Sequence, residues 1–469
     1  MDSPDIQAFL DVLPAHRDLF SAEEISIARA PGRLDLMGGI ADYSGSLVLQ
    51  LPLASAACAA AQWSDDQRVH IRTTDPAAGH GAANVGLPLD NLLGGYEQAR
   101  AALAGAKKHW AAYIAGAITV LNRERGVTFP HGVRWLIKSD VPAGKGVSSS
   151  AAIEVAAMQA LCGLAGLELR LTGREIALLC QKVENLVAGA PCGVMDQMTA
   201  ACGEANALLA LLCQPAELQP PVVLPDGVEV FGIDSGIRHA VSGADYGSVR
   251  VGAFMGYRVI ASLAGLQVSR EDGRTIVTDP QWRGYLANIS PEAWESRFSA
   301  HVPERLTGAA FLSTFGGHTD TVTSIDPART YAIRQPTTHP IHEHARVTRF
   351  RALLQQSADD RTLGELGALM YESHASYSAC GLGSSGTDDL VALVREAGPS
   401  RGLFGAKITG GGSGGTVAVL ARAGSRSAVD DVAARYARST GRVATVIAGS
   451  SNGAIRSGSM MTWIPARRV

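Results

Sequence analysis

Residues 141–152 read Val-Pro-Ala-Gly-Lys-Gly-Val-Ser-Ser-Ser-Ala-Ala, and no other stretch limits the folds open to this chain as strongly. Ahead of it, Val133-Arg134-Trp135-Leu136-Ile137 alternates as a strand does. Behind it, Ala151 to Cys162 reads as a helix, with Gly163 placed to cap its C-terminus. The chain must pass from a strand, through a loop of small residues, into a helix N-terminus. The unpaired N–H groups and positive dipole end of such a helix suit an anion such as phosphate. Gly144 and Gly146 allow the backbone to come close to it, and Lys145 and Val147 complete the loop. Ser148, Ser149 and Ser150 are each able to cap the helix, to bond phosphate oxygens or to ligate Mg²⁺, and three in succession exceed what capping needs. A Walker A loop is excluded, because Ser139 and Gly146 stand where that motif requires a glycine and a Ser/Thr.

A chain of 469 residues exceeds what one core usually supports. Two domains are expected, 1–225 and 226–469, with the boundary between Gln219-Pro220-Pro221 and Asp226-Gly227 and a long polar insertion over 267–345. The content of 46% hydrophobic and 18% charged residues is that of a globular protein. The net charge of −3 gives no bias towards nucleic acid. The apolar run Ala205 to Cys213 is broken by Asn206 and too short to span a bilayer, so no membrane is expected. Seven scattered cysteines point to reduced thiols, and the acidic start Met1 to Asp5 carries no signal-peptide pattern; together they lead us to expect a cytoplasmic location. No feature calls for a protein partner, and none encodes an oligomeric state.

Elsewhere the pattern predicts an amphipathic helix over 6–20, a strand from Ile25 that ends in a turn at Pro31-Gly32, and strands over 47–53 and 68–74. A loop is predicted over 77–97, and helices over 98–124, 174–187, 363–378, 386–397 and 430–438. His339, His342 and His344 lack zinc-site spacing; His342 and Glu343 are expected to open a helix after Pro340. Taken alone, Arg33 is a surface arginine after a turn, Glu184 a solvated helix position, Asp196 a helix N-cap, and Tyr246 a core or surface tyrosine.

Pro142, Gly146, Val147, Ser149, Ser150 and Ala151 match the central motif of the GHMP superfamily of small-molecule kinases, which includes galactokinase, homoserine kinase and mevalonate kinase. Ala30-Pro31-Gly32-Arg33 with Asp42-Tyr43-Ser44-Gly45 resembles the first motif of galactokinase-type enzymes. Pro191-Cys192-Gly193-Val194-Met195-Asp196-Gln197, with Glu184 twelve residues before Asp196, resembles a second segment of theirs, and the glycine loop Gly410 to Gly415 resembles the superfamily's third motif. A strand follows those last glycines, which argues against a dinucleotide-binding loop.

The resemblance implies an α+β fold of two domains, ribosomal-protein-S5-like at the N-terminus and ferredoxin-like at the C-terminus, with ATP and sugar in the cleft between them. It implies Asp196 as catalytic base beside Arg33, residues 144–150 around the ATP phosphates, Mg²⁺ on Ser150 and Glu184, and sugar contacts from Asp42, Gly193 and Tyr246. One departure carries information. Where galactokinases have Glu-His-Thr before the Asp-Tyr pair, this chain has Gly39-Ile40-Ala41. Loss of two polar side chains removes the partners of the galactose C6 hydroxymethyl, so a pentopyranose of galactose-like stereochemistry, L-arabinose, fits better. A buried hydroxyl without partners costs about 1–3 kcal/mol. Segments of the insertion, such as Tyr285 to Ile289 and Arg329 to Arg334, resemble the kinase portion of plant L-arabinokinases. The expected reaction is ATP-dependent phosphorylation of L-arabinose at C1. The alternatives are a galactokinase, a uronic-acid 1-kinase and a sugar sensor without catalysis.

Overall fold

The computed structural model describes residues 3–21, 23–74, 84–105, 108–237 and 244–464. Two sheets organise them. Across the eight-stranded sheet the main order is Ser459–Thr462, Ile25–Met37, Leu47–Trp63, Val133–Ser139, Arg68–Thr73 and Asn84–Pro88. Ala207–Leu212 pairs with the first residues of the long strand Leu47–Trp63, and Glu217–Val223 pairs with it in turn. All neighbours are antiparallel except Arg68–Thr73 against Val133–Ser139, which are parallel. The second sheet has four strands, in the order Leu403–Ile408, Thr416–Arg422, Val228–Asp234 and Thr445–Ile447, all antiparallel. The fold is the two-domain α+β fold expected.

Small residues explain how the phosphate loop is positioned. Ala56 to Ala61 on the long strand and Ala151, Ala152, Ala156, Ala157 and Ala160 on the helix Ser149–Leu164 are all buried, with the helix laid on the sheet. Short side chains on both surfaces permit that close approach. Gly163 does not cap this helix. It lies inside it, where a Cβ would come within 2.4 Å of the Ser26 hydroxyl and 2.6 Å of that of Ser459, so the residue serves helix-to-strand packing.

Several local expectations change. Pro31-Gly32 is no turn: the strand Ile25–Met37 runs straight through it, with a register shift between Pro31 and Arg33. In the described part of 77–97, Asn84–Pro88 is an edge strand with Val85 and Leu87 turned inward, followed by a short helix Asp90–Leu93. The predicted helix over 98–124 is split into Tyr96–Leu103 and Ala112–Arg125. The helix expected to open at His342 starts earlier, at Arg334, and contains Pro340. The insertion is less polar inside than its composition suggests. Trp282, Leu286, Ile289, Trp294, Phe298 and Phe311 form a core of their own against Val251, Met255 and Tyr257 of the helix Ala244–Leu263. Among the described residues no helix is long and apolar enough to cross a membrane.

Candidate active site

The irregularity after Pro31 sets the direction of Arg33. A β-bulge turns one side chain out of the strand's alternation. Gly32 sits so close to the phosphate loop that a Cβ there would lie 2.7 Å from the Val147 carbonyl oxygen and 2.7 Å from Val141 Cγ1. Arg33 N–H donates to the Val147 carbonyl at 3.1 Å, and Arg33 Nη1 to the Gly146 carbonyl at 2.7 Å. The remaining edge of the guanidinium meets Asp196: Nε donates to Oδ1 and Nη2 to Oδ2, each at 2.9 Å. Such a two-point pair fixes both orientation and charge. Arg33 is almost wholly buried, whereas the Asp196 side chain is 25% exposed, towards the cleft.

Asp196 is not the N-cap of its helix. It lies inside the first turn of Met195–Cys202. Ser148 does not cap its helix with its side chain either: its hydroxyl donates to Asp196 Oδ2. Ser148 adopts φ +60°, a left-handed conformation that a non-glycine residue rarely takes. That leaves the next hydroxyl, Ser149 Oγ, buried and without a partner at the helix N-terminus.

The rest of the loop leans on the third motif. Gly146 faces the Thr409 carbonyl, and a Cβ at Gly415 would come within 2.5 Å of the Lys145 carbonyl, which accepts a bond from Thr416 Oγ1 at 2.9 Å. Lys145 Nζ pairs with Asp234 at 3.0 Å. Gly144, with φ +70°, has open space where a Cβ would sit. A loop with an orphaned hydroxyl, an open glycine and a helix N-terminus fits a phosphate chain.

Glu184 occupies a π-helical segment, Val183–Ala188, a wide turn of the kind often found at functional sites. It is 8% exposed, not solvated. Burial and then the Asp196 charge push its carboxyl up to about 7, against hydrogen bonds from Ser150, Cys192 and Gln197. Gln197 Nε2 donates to Glu184 Oε2 at 2.5 Å and to Glu154 Oε2 at 3.1 Å. Glu154, on the phosphate-loop helix, escaped the sequence reading although it is a lone acid in an apolar helix; burial, then Glu184, pushes its carboxyl well above the ordinary range. Among the described residues neither Glu154 nor Glu184 pairs with a cationic side chain, and two such buried acids fit a divalent ion. Among the described residues no three His, Cys, Asp or Glu side chains form a cage. Mg²⁺ held by Ser150, Glu184 and phosphate oxygens matches that donor set.

Beside this lies a second pocket. Asp42 is 4% exposed and accepts the Tyr43 N–H at 2.6 Å. Burial, then Asp196, raises its carboxyl to about 7, with Arg250 opposing. A Cβ at Gly193 would lie 1.7 Å from Asp42 Oδ2, so no side chain is tolerated there. Tyr246 meets Tyr43 edge-on, with ring centres 5.9 Å apart. Ile40 packs among Val249, Tyr377 and Leu382, with Tyr246 at the rim. Gly39, at φ +41°, has the Tyr377 hydroxyl 1.5 Å from where a Cβ would sit. Tyr377 itself accepts from Ile40 N–H at 2.9 Å and donates to the Gly410 carbonyl at 3.1 Å. Contacts and charge interactions thus join Arg33, Asp42, Ser148, Ser150, Glu184, Gly193, Asp196 and Tyr246 into one cluster.

Beneath it lies a layer that sequence reading missed. Lys407 Nζ and Asp35 Oδ2 pair at 2.6 Å with both side chains fully buried. Asp35 Oδ1 accepts from Gly39 N–H at 3.0 Å and from Gln50 at 2.7 Å. Glu343 accepts from Gly38 N–H at 3.1 Å, Ser373 at 2.7 Å and Arg346 at 2.7 Å. Burial works against the Glu343 charge, but Arg346, His339, Lys407 and Ser373 outweigh it and hold its carboxyl down at about 2.

Comparison with known proteins agrees with this geometry. Residues 112–204 match the GHMP kinases N terminal domain, 350–442 the GHMP kinases C terminal domain, and 14–62 the galactokinase galactose-binding signature. L-arabinokinase of Arabidopsis thaliana is 44% identical over 481 residues, covering 92% of this chain but 46% of its own length, so this chain spans less than half of that relative. A galactokinase of Streptomyces coelicolor is 32% identical over 88% of this chain and 89% of its own. The galactokinase of Lactococcus lactis, solved with galactose, superposes with a TM-score of 0.73 at 20% identity over 96% of this chain and 99% of its own, a likeness of fold. With these matches across both sheets and the cleft, the chain belongs to the GHMP kinases, and within them to the galactokinase-like group.

Proposed function

We propose that this protein transfers the γ-phosphoryl group of ATP to the anomeric hydroxyl of L-arabinose, giving L-arabinose 1-phosphate and ADP in the cytoplasm. The observation that carries the chemistry is the two-point pair of Arg33 with Asp196 at the mouth of the phosphate loop. Asp196 takes the proton of the C1 hydroxyl. The Asp196 side chain is 25% exposed, so a substrate hydroxyl has access to it. Arg33 holds the acid in place and adds positive charge where the phosphoryl group passes. Residues 144–150 cradle the phosphates, and Ser150 and Glu184 would hold Mg²⁺, which would supply neutralisation of phosphate charge when bound. Asp42, Gly193 and Tyr246 hold the sugar; an ionised carboxylate accepts two hydroxyl donors at once.

The choice of sugar rests on Gly39 and Ile40. Tyr377 fills the space a side chain at 39 would need, and Ile40, itself 1% exposed, packs in an apolar wall with Val249 and Leu382. Neither Gly39 nor Ile40 has a polar side chain to offer a hydroxymethyl group. The group-level relatives named galactokinase favour galactose as the second reading. The product decides: phosphorus and carbon NMR of a reaction with Mg²⁺-ATP and L-arabinose is expected to show phosphate on C1. Phosphate on another carbon, or ATP hydrolysis with the sugar intact, rules the reading out.

A further inference from the structure

The insertion does more than pack on the helix Ala244–Leu263. One of its side chains, Asp320, grips a residue of that helix that borders the second pocket. Arg250 of that helix is buried, with Nε and Nη2 bonded to the two oxygens of Asp320 at 2.8 Å each. Asp320 lies in the insertion after the helix Gly308–Phe315 and is itself held by Thr323 Oγ1 at 2.6 Å and by the Val322 N–H at 3.2 Å. Both side chains are nearly dry, 7% and 3% exposed.

The guanidinium touches the two chain segments that flank the pocket. Its Nη1 donates to the Cys192 carbonyl at 3.1 Å, next to Gly193. Its face lies over the Tyr43 ring at 5.4 Å, next to Asp42. Its own helix carries Tyr246 and Val249, which join Ile40 in the apolar wall. Arg250 therefore ties together three pieces of one pocket, and its charge acts on Asp42. Among the described residues Asp42 makes no ion pair, and the carboxylate that takes the Arg250 fork comes from the insertion.

We propose that Asp320 is a positioning residue for sugar recognition, supplied by the insertion, which holds Arg250 in a two-point pair and so keeps it from turning onto Asp42. Without Asp320, a buried cation beside a buried carboxylate pairs with it, and the acceptor needed by the sugar hydroxyls is lost. This rests on the sugar-kinase reading above.

The test is steady-state kinetics of Asp320→Ala and Asp320→Glu, each checked for folding by thermal melting, with the sugar the native protein prefers. The KM for sugar is expected to rise about tenfold or more in Asp320→Ala, the scale of one lost charge-assisted bond. The KM for ATP stays within about twofold, and Asp320→Glu recovers part of the loss. Arg250→Lys, which keeps the charge and loses the fork, carries the same test should Asp320→Ala not fold. An unchanged sugar KM in a folded variant, or a parallel loss for both substrates, overturns the role of Asp320. Absence of turnover by the native protein on every sugar would instead remove the kinase reading itself.

Discussion

Arg33 and Asp196 lie 163 positions apart in the chain and meet through two hydrogen bonds of 2.9 Å, with Gly146 and Ser148 of the phosphate loop bonded to the same pair. The pair is thus welded to the loop that holds the phosphates. Replacing Asp196 by Asn keeps the shape and removes the base; kcat is expected to fall about 10²–10⁴-fold. Arg33→Met is expected to lose a similar factor. Calorimetric binding of ATP and sugar by the folded variants should change by only a few fold, and near-native turnover in Asp196→Asn would exclude its role as base.

Acidity should gate the reaction. Asp42 and Glu184 carry carboxyls raised to about 7 by burial and by Asp196. Asp42 must be ionised to accept hydroxyl donors, so kcat/KM for sugar falls as pH drops below about 7; Glu184 titrates there only in the metal-free protein, because a bound cation favours its ionised form. Stability runs the other way. For groups raised in the folded state, the stabilising contribution is fully present below the ordinary carboxylate pKa of about 4 and is lost as pH rises through about 7. A pH–rate profile and melting of the ligand-free protein read the two opposite slopes. A flat acid limb would show that Asp42 does not titrate there.

Gly39 and Tyr377 compete for one space. Gly39→Ala places a methyl against the Tyr377 hydroxyl, at a backbone angle of φ +41° that alanine resists. Overpacking of this kind costs about 1–3 kcal/mol. Tyr377→Phe removes the oxygen and should recover part of the cost, so the two changes are not additive. Chemical denaturation of both single variants and the double variant measures this, and strict additivity would mean the two sites do not touch.

Lys407 and Asp35 are both dry and join strands from the two sheets. Lys407→Met strands a buried carboxylate and is expected to cost about 3–5 kcal/mol, whereas Lys407→Met with Asp35→Leu should recover much of it. Equal loss in the single and double variants would assign the stability to something other than the charge pair.

Much of this cleft is written in short segments. Small residues at 144–151 can form little other than a tight loop into a helix, and Arg33, Asp42, Glu184 and Asp196 stand inside recognisable strings. What stayed hidden are pairings between distant positions. Asp35 finds Lys407 across 372 residues, Ile40 finds Tyr377 across 337, and Arg250 finds Asp320 across 70; no local pattern encodes them. Pro31-Gly32 misled for a different reason. The pair favours a turn in isolation, but burial between neighbouring strands and Val147 keeps it extended and leaves only a bulge. Glu343 was expected to open a helix and instead lies at its centre, because packing against Gly38 and Ser373 decides the helix start more than Pro340 does.

The central claim concerns which sugar the wall of Gly39, Ile40 and Tyr377 admits. The direct measurement is kcat/KM from ADP release with L-arabinose, D-galactose, D-glucuronate and D-xylose in parallel under saturating Mg²⁺-ATP. L-arabinose is predicted to lead D-galactose by roughly ten- to a hundredfold, the penalty for one buried hydroxyl without a partner. Galactose equal to arabinose or ahead of it would contradict the account and make the protein a galactokinase.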